Sequence, residues 1–184
     1  KAESCAFDYC FPNKLDDIAV LTFAIENGCK KKAPYYLGNL FYDKLQWKKS
    51  VELWEMSKKT DDTFSIVHRN LALAYYNKMG DSKAAKCELE KAFSTDEIYG
   101  LKLHPVKHAY ALDDHSLLDP LFKICEKHNK PILIFGGANV YSSPNMFAEM
   151  AMTFPKVNLI MAHGGQMYET TSAINVAKKY KNIY

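Results

Sequence analysis

The sequence predicts an α + α/β chain, in which antiparallel helical hairpins are followed by β/α units on parallel strands, and three observations carry that expectation. Across residues 15–93 apolar side chains recur at three- and four-residue steps, as in Ile18, Leu21 and Ile25 and again in Leu37, Leu40 and Phe41, which is the period of a helix with one buried face. After Asp96 the pattern changes to short apolar runs at 100–104, 131–135 and 157–163, each closed by proline or glycine and followed by a helical stretch. The runs are regularly spaced, with Leu101, Ile132 and Leu159 at equivalent points. The step is close to the roughly 31 residues per unit of a 250-residue eight-stranded barrel.

The helical half is punctuated by its own stop and start signals. Gly28 can end the first helix, Pro34 suits the first turn of the second, and Asp81 with Ser82 can cap the last. Sliding the chain against itself lays Leu37, Gly38 and Phe41 over Leu71, Ala72 and Tyr75, all three at one offset. With one inserted residue near Gly80, Ser50, Trp54 and Ser57 then fall on Ala85, Leu89 and Ala92. Small and large residues alternate where the two helices of a hairpin must approach closely.

This pattern resembles tetratricopeptide repeats over about residues 15–96, and the offset matches their period of about 34 residues. Asp62 stands where that family usually has proline, and its tryptophan early in the first helix is absent. The resemblance implies a groove lined by the first helices of the hairpins, and binding of a protein or peptide there. By the same resemblance Asn39 and Asn70 match amides that grip a peptide backbone, since an amide donates and accepts at once. Tyr35, Tyr42 and Arg69 are the further groove residues, with Tyr35 standing where a carboxylate clamp would place lysine.

In the second half, alternation with helices implies a parallel sheet. Period-two geometry puts Lys102 and His104 on one face and Leu101 and Leu103 on the other, giving a polar lumen and an apolar helix-facing side. Sites in such barrels collect at the strand ends, which read His104-Pro105, Phe135-Gly136-Gly137 and His163-Gly164-Gly165. The strands Gly100-Leu-Lys-Leu-His-Pro105, Pro131-Ile-Leu-Ile-Phe-Gly136 and Asn158-Leu-Ile-Met-Ala-His-Gly-Gly165 resemble successive strands of amidohydrolase-related metal-dependent hydrolases, over residues 97–184 and as part of a TIM barrel. The resemblance implies hydrolysis, or decarboxylation of a small carboxylic acid. It also implies a divalent metal, commonly Zn²⁺, at the strand ends. His163 is then the catalytic or metal-site histidine, and Lys102 and His104 face a small-molecule substrate.

Two departures set the expectation for this chain. Phe135 stands where the family has a metal-binding histidine, and a phenyl ring has no lone pair for zinc. No His-x-His occurs anywhere in the sequence. The expectation is therefore a catalytically incomplete segment that holds a divalent metal only if the ligand set is completed from elsewhere, and none otherwise. A non-catalytic protein-interaction scaffold is the alternative. His68, His115 and His128, set among polar neighbours, read as surface groups. His104 and His108 are four apart, but Pro105 disfavours helix at His104 and with it a helix-borne zinc pair.

Composition excludes several classes. With 48% hydrophobic and 24% charged residues among 184, the chain is a folded one. A net charge of +3 from 24 basic and 21 acidic residues gives nucleic acid or an anionic membrane no concentrated patch. Cys5, Cys10, Cys29, Cys87 and Cys125 are odd in number and never form a CxxC pair, which argues against a disulfide framework or structural zinc and for a reducing, cytoplasmic setting. No apolar run approaches the roughly 20 residues of a membrane span. The chain starts at Lys1 and stops at Tyr184 within a strand-like run, so it reads as an excised piece, and a join near residues 95–97 would account for the two resemblances meeting without a linker. With about three of eight β/α units, its open sheet edges are expected to drive oligomerisation.

Overall fold

The computed structural model describes residues 11–137 and 139–184. The chain divides into two compact units, Lys1–Ile98 and Tyr99–Tyr184. Cys5 and Cys10 lie outside the described residues.

The first unit is helical: α1 Asp16–Glu26, α2 Lys32–Asp43, α3 Trp47–Thr60, α4 Ser65–Ala74, a π-helical turn Tyr75–Met79, and α5 Ser82–Phe93. Each helix packs on the next, and the connections between them are short. Gly28, at φ 98°, closes α1: its N–H reaches the Ile25 carbonyl, and that of Cys29 reaches Ala24. At the start of α5, Asp81 accepts from the Ala84 N–H at 2.9 Å. Two buried clusters hold the unit, Ile25, Ala33, Leu37 and Leu40 in one, and Trp54, Phe64, Val67, Leu71 and Ala74 in the other.

The alternation of small and large residues has a direct steric meaning. A Cβ on Gly38 would fall 2.5 Å from the Trp54 indole nitrogen, so α2 and α3 approach as closely as they do only because residue 38 has no side chain. Ser50 and Ser57 are fully buried on the same helix, their hydroxyls donating to the Gln46 and Lys31 carbonyls at 3.1 and 2.6 Å. The extra residue near Gly80 that the internal match requires falls beside the π-helical turn, whose wider winding takes up one residue without breaking the helix. The turn closes with the Asp81 N–H on the Tyr75 carbonyl and Gly80 in the left-handed region.

The second unit runs β1 Leu101–Leu103, α6 Pro105–His108, α7 His115–Lys127, β2 Ile132–Phe135, α8 Pro144–Thr153, β3 Leu159–Ala162 and α9 Gln166–Lys179. The three strands are parallel in the order β1-β2-β3. Residues 182–184 continue the sheet beside β3: Leu159 and Ile183 form a parallel bridge, and the Tyr184 N–H donates to the Leu159 carbonyl at 2.8 Å. Asn182 fastens this return, donating to the Ala151, Phe154 and Val157 carbonyls at 3.1–3.3 Å.

Alternation along the strands sorts the two faces. Leu103, Ile132, Ile134, Leu159 and Met161 are buried with Leu118, Phe122, Phe147 and Met150 from the helices. The opposite row, Lys102, Leu133 and Ile160 across the register, is exposed. The expected polar lumen is thereby corrected: only β1 brings a charge to that row, and β2 and β3 bring aliphatic side chains. No helix among the described residues is long and apolar enough to cross a membrane.

Candidate functional site

The carboxyl ends of the three strands converge on an aromatic cluster. The His104 ring stacks on the Phe135 ring, with centroids 4.5 Å apart and planes 11° from parallel. Phe135 also lies against the His163 ring, at 4.8 Å and 53°. The strand order explains the arrangement, since β1, β2 and β3 lie side by side and each contributes one ring at its end.

Local backbone fixes each ring. His104 is the N-cap residue of α6, extended at φ −136°, and its Nδ1 accepts the Lys107 N–H at 3.2 Å. Pro105 at the first helical position suits this start. His163 opens a left-handed stretch that continues through Gly164, Gly165 and Gln166. The two glycines adopt it without strain, whereas His163 and Gln166 carry a steric penalty. The Gly165 N–H donates to the Gly136 carbonyl at 2.8 Å, tying the ends of β2 and β3. A shallow groove beside His163 is lined by Gln166, Met167, Tyr168 and Thr170. Lys102 lies on the exposed row within β1.

The donor chemistry at these strand ends does not suit a metal ion. Phe135 offers no lone pair. The Nδ1 lone pair of His104 is engaged by a backbone donor, so a neutral ring carries its proton on Nε2. That leaves His163, where a zinc site needs three protein ligands. Among the described residues no group of three or more His, Cys, Asp or Glu side chains is placed to hold a metal. His108, in α6 with His104 as its cap, does not form a helix-borne pair with it.

In the helical unit the five residues expected to line a groove lie on α2 and α4. The Asn39 side-chain oxygen accepts from Trp54 Nε1 at 3.1 Å and from Asn70 Nδ2 at 2.9 Å. The Asn70 oxygen in turn accepts from Arg69 at 3.0 Å. Tyr35 packs on Phe64, and Tyr42 on Trp54, with ring centroids 5.2 and 5.4 Å apart. Burial pushes the Tyr42 phenol above its ordinary value, against the opposing field of Arg69. The amides thus cross-link α2, α3 and α4 internally. Arg69 is exposed and Asn70 buried.

A second polar cluster was not legible in sequence and corrects the surface reading of His68, which is 1% exposed. His68 Nδ1 lies 2.6 Å from a Glu88 carboxylate oxygen, and Nε2 lies 2.8 Å from the Asp62 carbonyl. Lys58 donates to the other Glu88 oxygen at 2.9 Å and to Glu55 at 2.7 Å, and Tyr75 donates to Glu55 at 2.9 Å. With an acceptor at each ring nitrogen, His68 is satisfied as imidazolium. Burial alone would disfavour that charge, but hydrogen bonds to Glu88 and Asp62 outweigh it and hold the His68 pKa above its ordinary value. Burial likewise opposes the Glu88 charge, and bonds from His68 and Lys58 prevail, holding Glu88 below the usual range. Burial, then Glu55, pushes the Tyr75 phenol up to about 12. His115, whose side chain is 39% exposed with Nδ1 2.8 Å from Asp119, and half-buried His128 are not enclosed in this way.

Comparison with known proteins gives one family: a model described as Amidohydrolase matches residues 68–184, more than half of the chain. The match begins in α4, well ahead of Glu97, where the sequence had suggested the likeness starts. No curated protein and no solved structure matches.

Proposed function

Since the chain belongs to the amidohydrolase family, we propose that its β/α unit is an arc of a TIM-type barrel descended from a metal-dependent hydrolase, or a decarboxylase of small carboxylic acids, and is catalytically incomplete as this chain. The observation that carries the reading is the strand-end trio of His104, Phe135 and His163. The rings stand where barrel sites are built, and only one imidazole has a lone pair that no backbone donor engages. His163 is the acid/base group of the ancestral pocket, and Lys102 with His104 faces its substrate. Phe135 has no lone pair and His104 Nδ1 faces the Lys107 N–H, which leaves the trio short of the three protein ligands of a zinc site.

The test is a hydrolysis and decarboxylation screen with the purified chain and added Zn²⁺, alongside His163→Ala. Turnover of both proteins is expected to be equal to the buffer control. Activity in the wild type that His163→Ala loses would overturn the incomplete reading.

The helical unit, on this proposal, is a tetratricopeptide-like module that binds an extended protein segment in a reducing, cytoplasmic setting. Support comes from the succession of packed helices, the internal match, which keeps one offset up to a single inserted residue near Gly80, and the residues Tyr35, Asn39, Tyr42, Arg69 and Asn70. Exposed Arg69 selects an acidic segment or a terminal carboxylate. In fluorescence polarisation with acidic C-terminal peptides, Arg69→Glu is expected to weaken binding about tenfold, in the range of a single interface residue. Absence of binding, or equal binding by the variant, would discard the module's assignment. Open strand edges support self-association through the β/α unit, for which light scattering should report a species larger than 21.0 kDa; a monomer at every concentration would count against it.

A further inference from the structure

We infer that these strand ends have exchanged metal coordination for ring stacking: Phe135, lying between the imidazoles of His104 and His163, keeps divalent cations out, and a ligating side chain at position 135 is enough to let one in. The inference rests on the proposed hydrolase ancestry and deepens it.

Lone pairs limit what these rings can bind. A neutral imidazole has one, on the nitrogen without the proton. At His104 the Lys107 N–H faces Nδ1 at 3.2 Å, so the lone pair is there and Nε2 carries hydrogen. A protonated ring would have none to give. His104 can therefore bind metal through Nε2 only by shifting its proton and giving up the cap of α6. While Phe135 stands beside it, nothing compensates that loss, because His163 alone supplies one nitrogen where about three are needed.

The spacing makes position 135 decisive. Zinc–nitrogen bonds of about 2.0–2.1 Å in a tetrahedron place the ring centroids of two histidine ligands about 5 Å apart. Phe135 lies 4.5 Å from His104 and 4.8 Å from His163, so an imidazole in its place starts at the spacing of a ligand pair with each. A third nitrogen would then offset the His104 tautomer change, since a nitrogen–metal bond is much stronger than a capping hydrogen bond. Phe135 also fits its present neighbours: a Cβ on Gly137 would lie 2.8 Å from the edge of its ring, so the chain turns tightly around the phenyl group.

The test is Co²⁺ titration of the full chain, read by the visible absorption of nitrogen-bound Co²⁺ and by thermal shift. Wild type and His163→Ala are expected to give the same flat response. Phe135→His is expected to take up one equivalent with micromolar or tighter affinity, and the Phe135→His/His163→Ala double variant to lose at least tenfold of it. Phe135→Cys, a smaller ligand in the same space, serves if the histidine variant does not fold. One equivalent bound by wild type and lost in His163→Ala would overturn the inference, as would folded Phe135→His and Phe135→Cys proteins that take up none. Metal-free turnover by wild type would sink the catalytic proposal alone, and His163-dependent uptake without turnover would sink this one.

Discussion

Glu88→Ala is expected to destabilise the helical unit by about 3–5 kcal/mol, the cost of removing one partner from a buried ion pair. The carboxylate is 6% exposed as a residue and bridges two cations on other helices, His68 on α4 and Lys58 on α3. Its loss leaves an imidazolium enclosed with only the Asp62 backbone oxygen and the Asp62 carboxylate, 3.5 Å away, as partners. Replacing both ends, as in His68→Leu/Glu88→Leu, removes the charges together and should recover much of the loss. Urea unfolding followed by circular dichroism measures both. A single-variant cost under about 1 kcal/mol, the scale of an exposed pair, would show that the cluster is solvated.

The same cluster gives the helical unit a pH window. The His68 pKa is raised on folding, so its contribution is complete below the ordinary value of 6.5 and is lost as pH rises through the folded value. The Glu88 pKa is lowered, so its contribution is present above the ordinary 4.5 and is lost as pH falls through the folded value. Between those limits both groups contribute fully. The urea midpoint should therefore decline on the alkaline side in wild type, and that decline should be smaller in the His68→Leu/Glu88→Leu protein. Equal pH profiles for the two would rule out the charged pair.

Trp54→Ala should be comparably severe, about 3–5 kcal/mol for truncating a buried tryptophan. The indole is 2% exposed and covers Gly38, which has no side chain with which to fill the space. Its N–H also donates to the Tyr35 carbonyl and the Asn39 side chain, so the substitution removes a donor from the amide chain that runs on to Asn70. Trp47 remains as a fluorescence reporter of unfolding, with Lys78 above its ring. A stability within about 1 kcal/mol of wild type would mean that α2 and α3 close over the gap, and that their spacing does not depend on residue 54.

Local chemistry wrote the elements into the sequence. Apolar steps at the helical period, Gly28 as a stop, Asp81 as a cap and three aliphatic runs ending at His104, Phe135 and His163 each act over a few residues, and their geometry is set by the backbone there. The nearness of the rings at 104, 135 and 163 was likewise legible, because parallel strands bring their ends together whatever lies between them. Folding decided how side chains distant in sequence meet. His68 and Glu88 stand on different helices, and nothing local marks either as buried. Asn182 reaches back to three carbonyls at 151, 154 and 157, and Asn39 on α2 finds Asn70 on α4. The proton position on His104 is of the same kind, fixed by whether a backbone N–H comes within reach of one ring nitrogen. Periodicity reports which way a residue faces; only packing in three dimensions supplies the partner that sets its charge and its lone pairs.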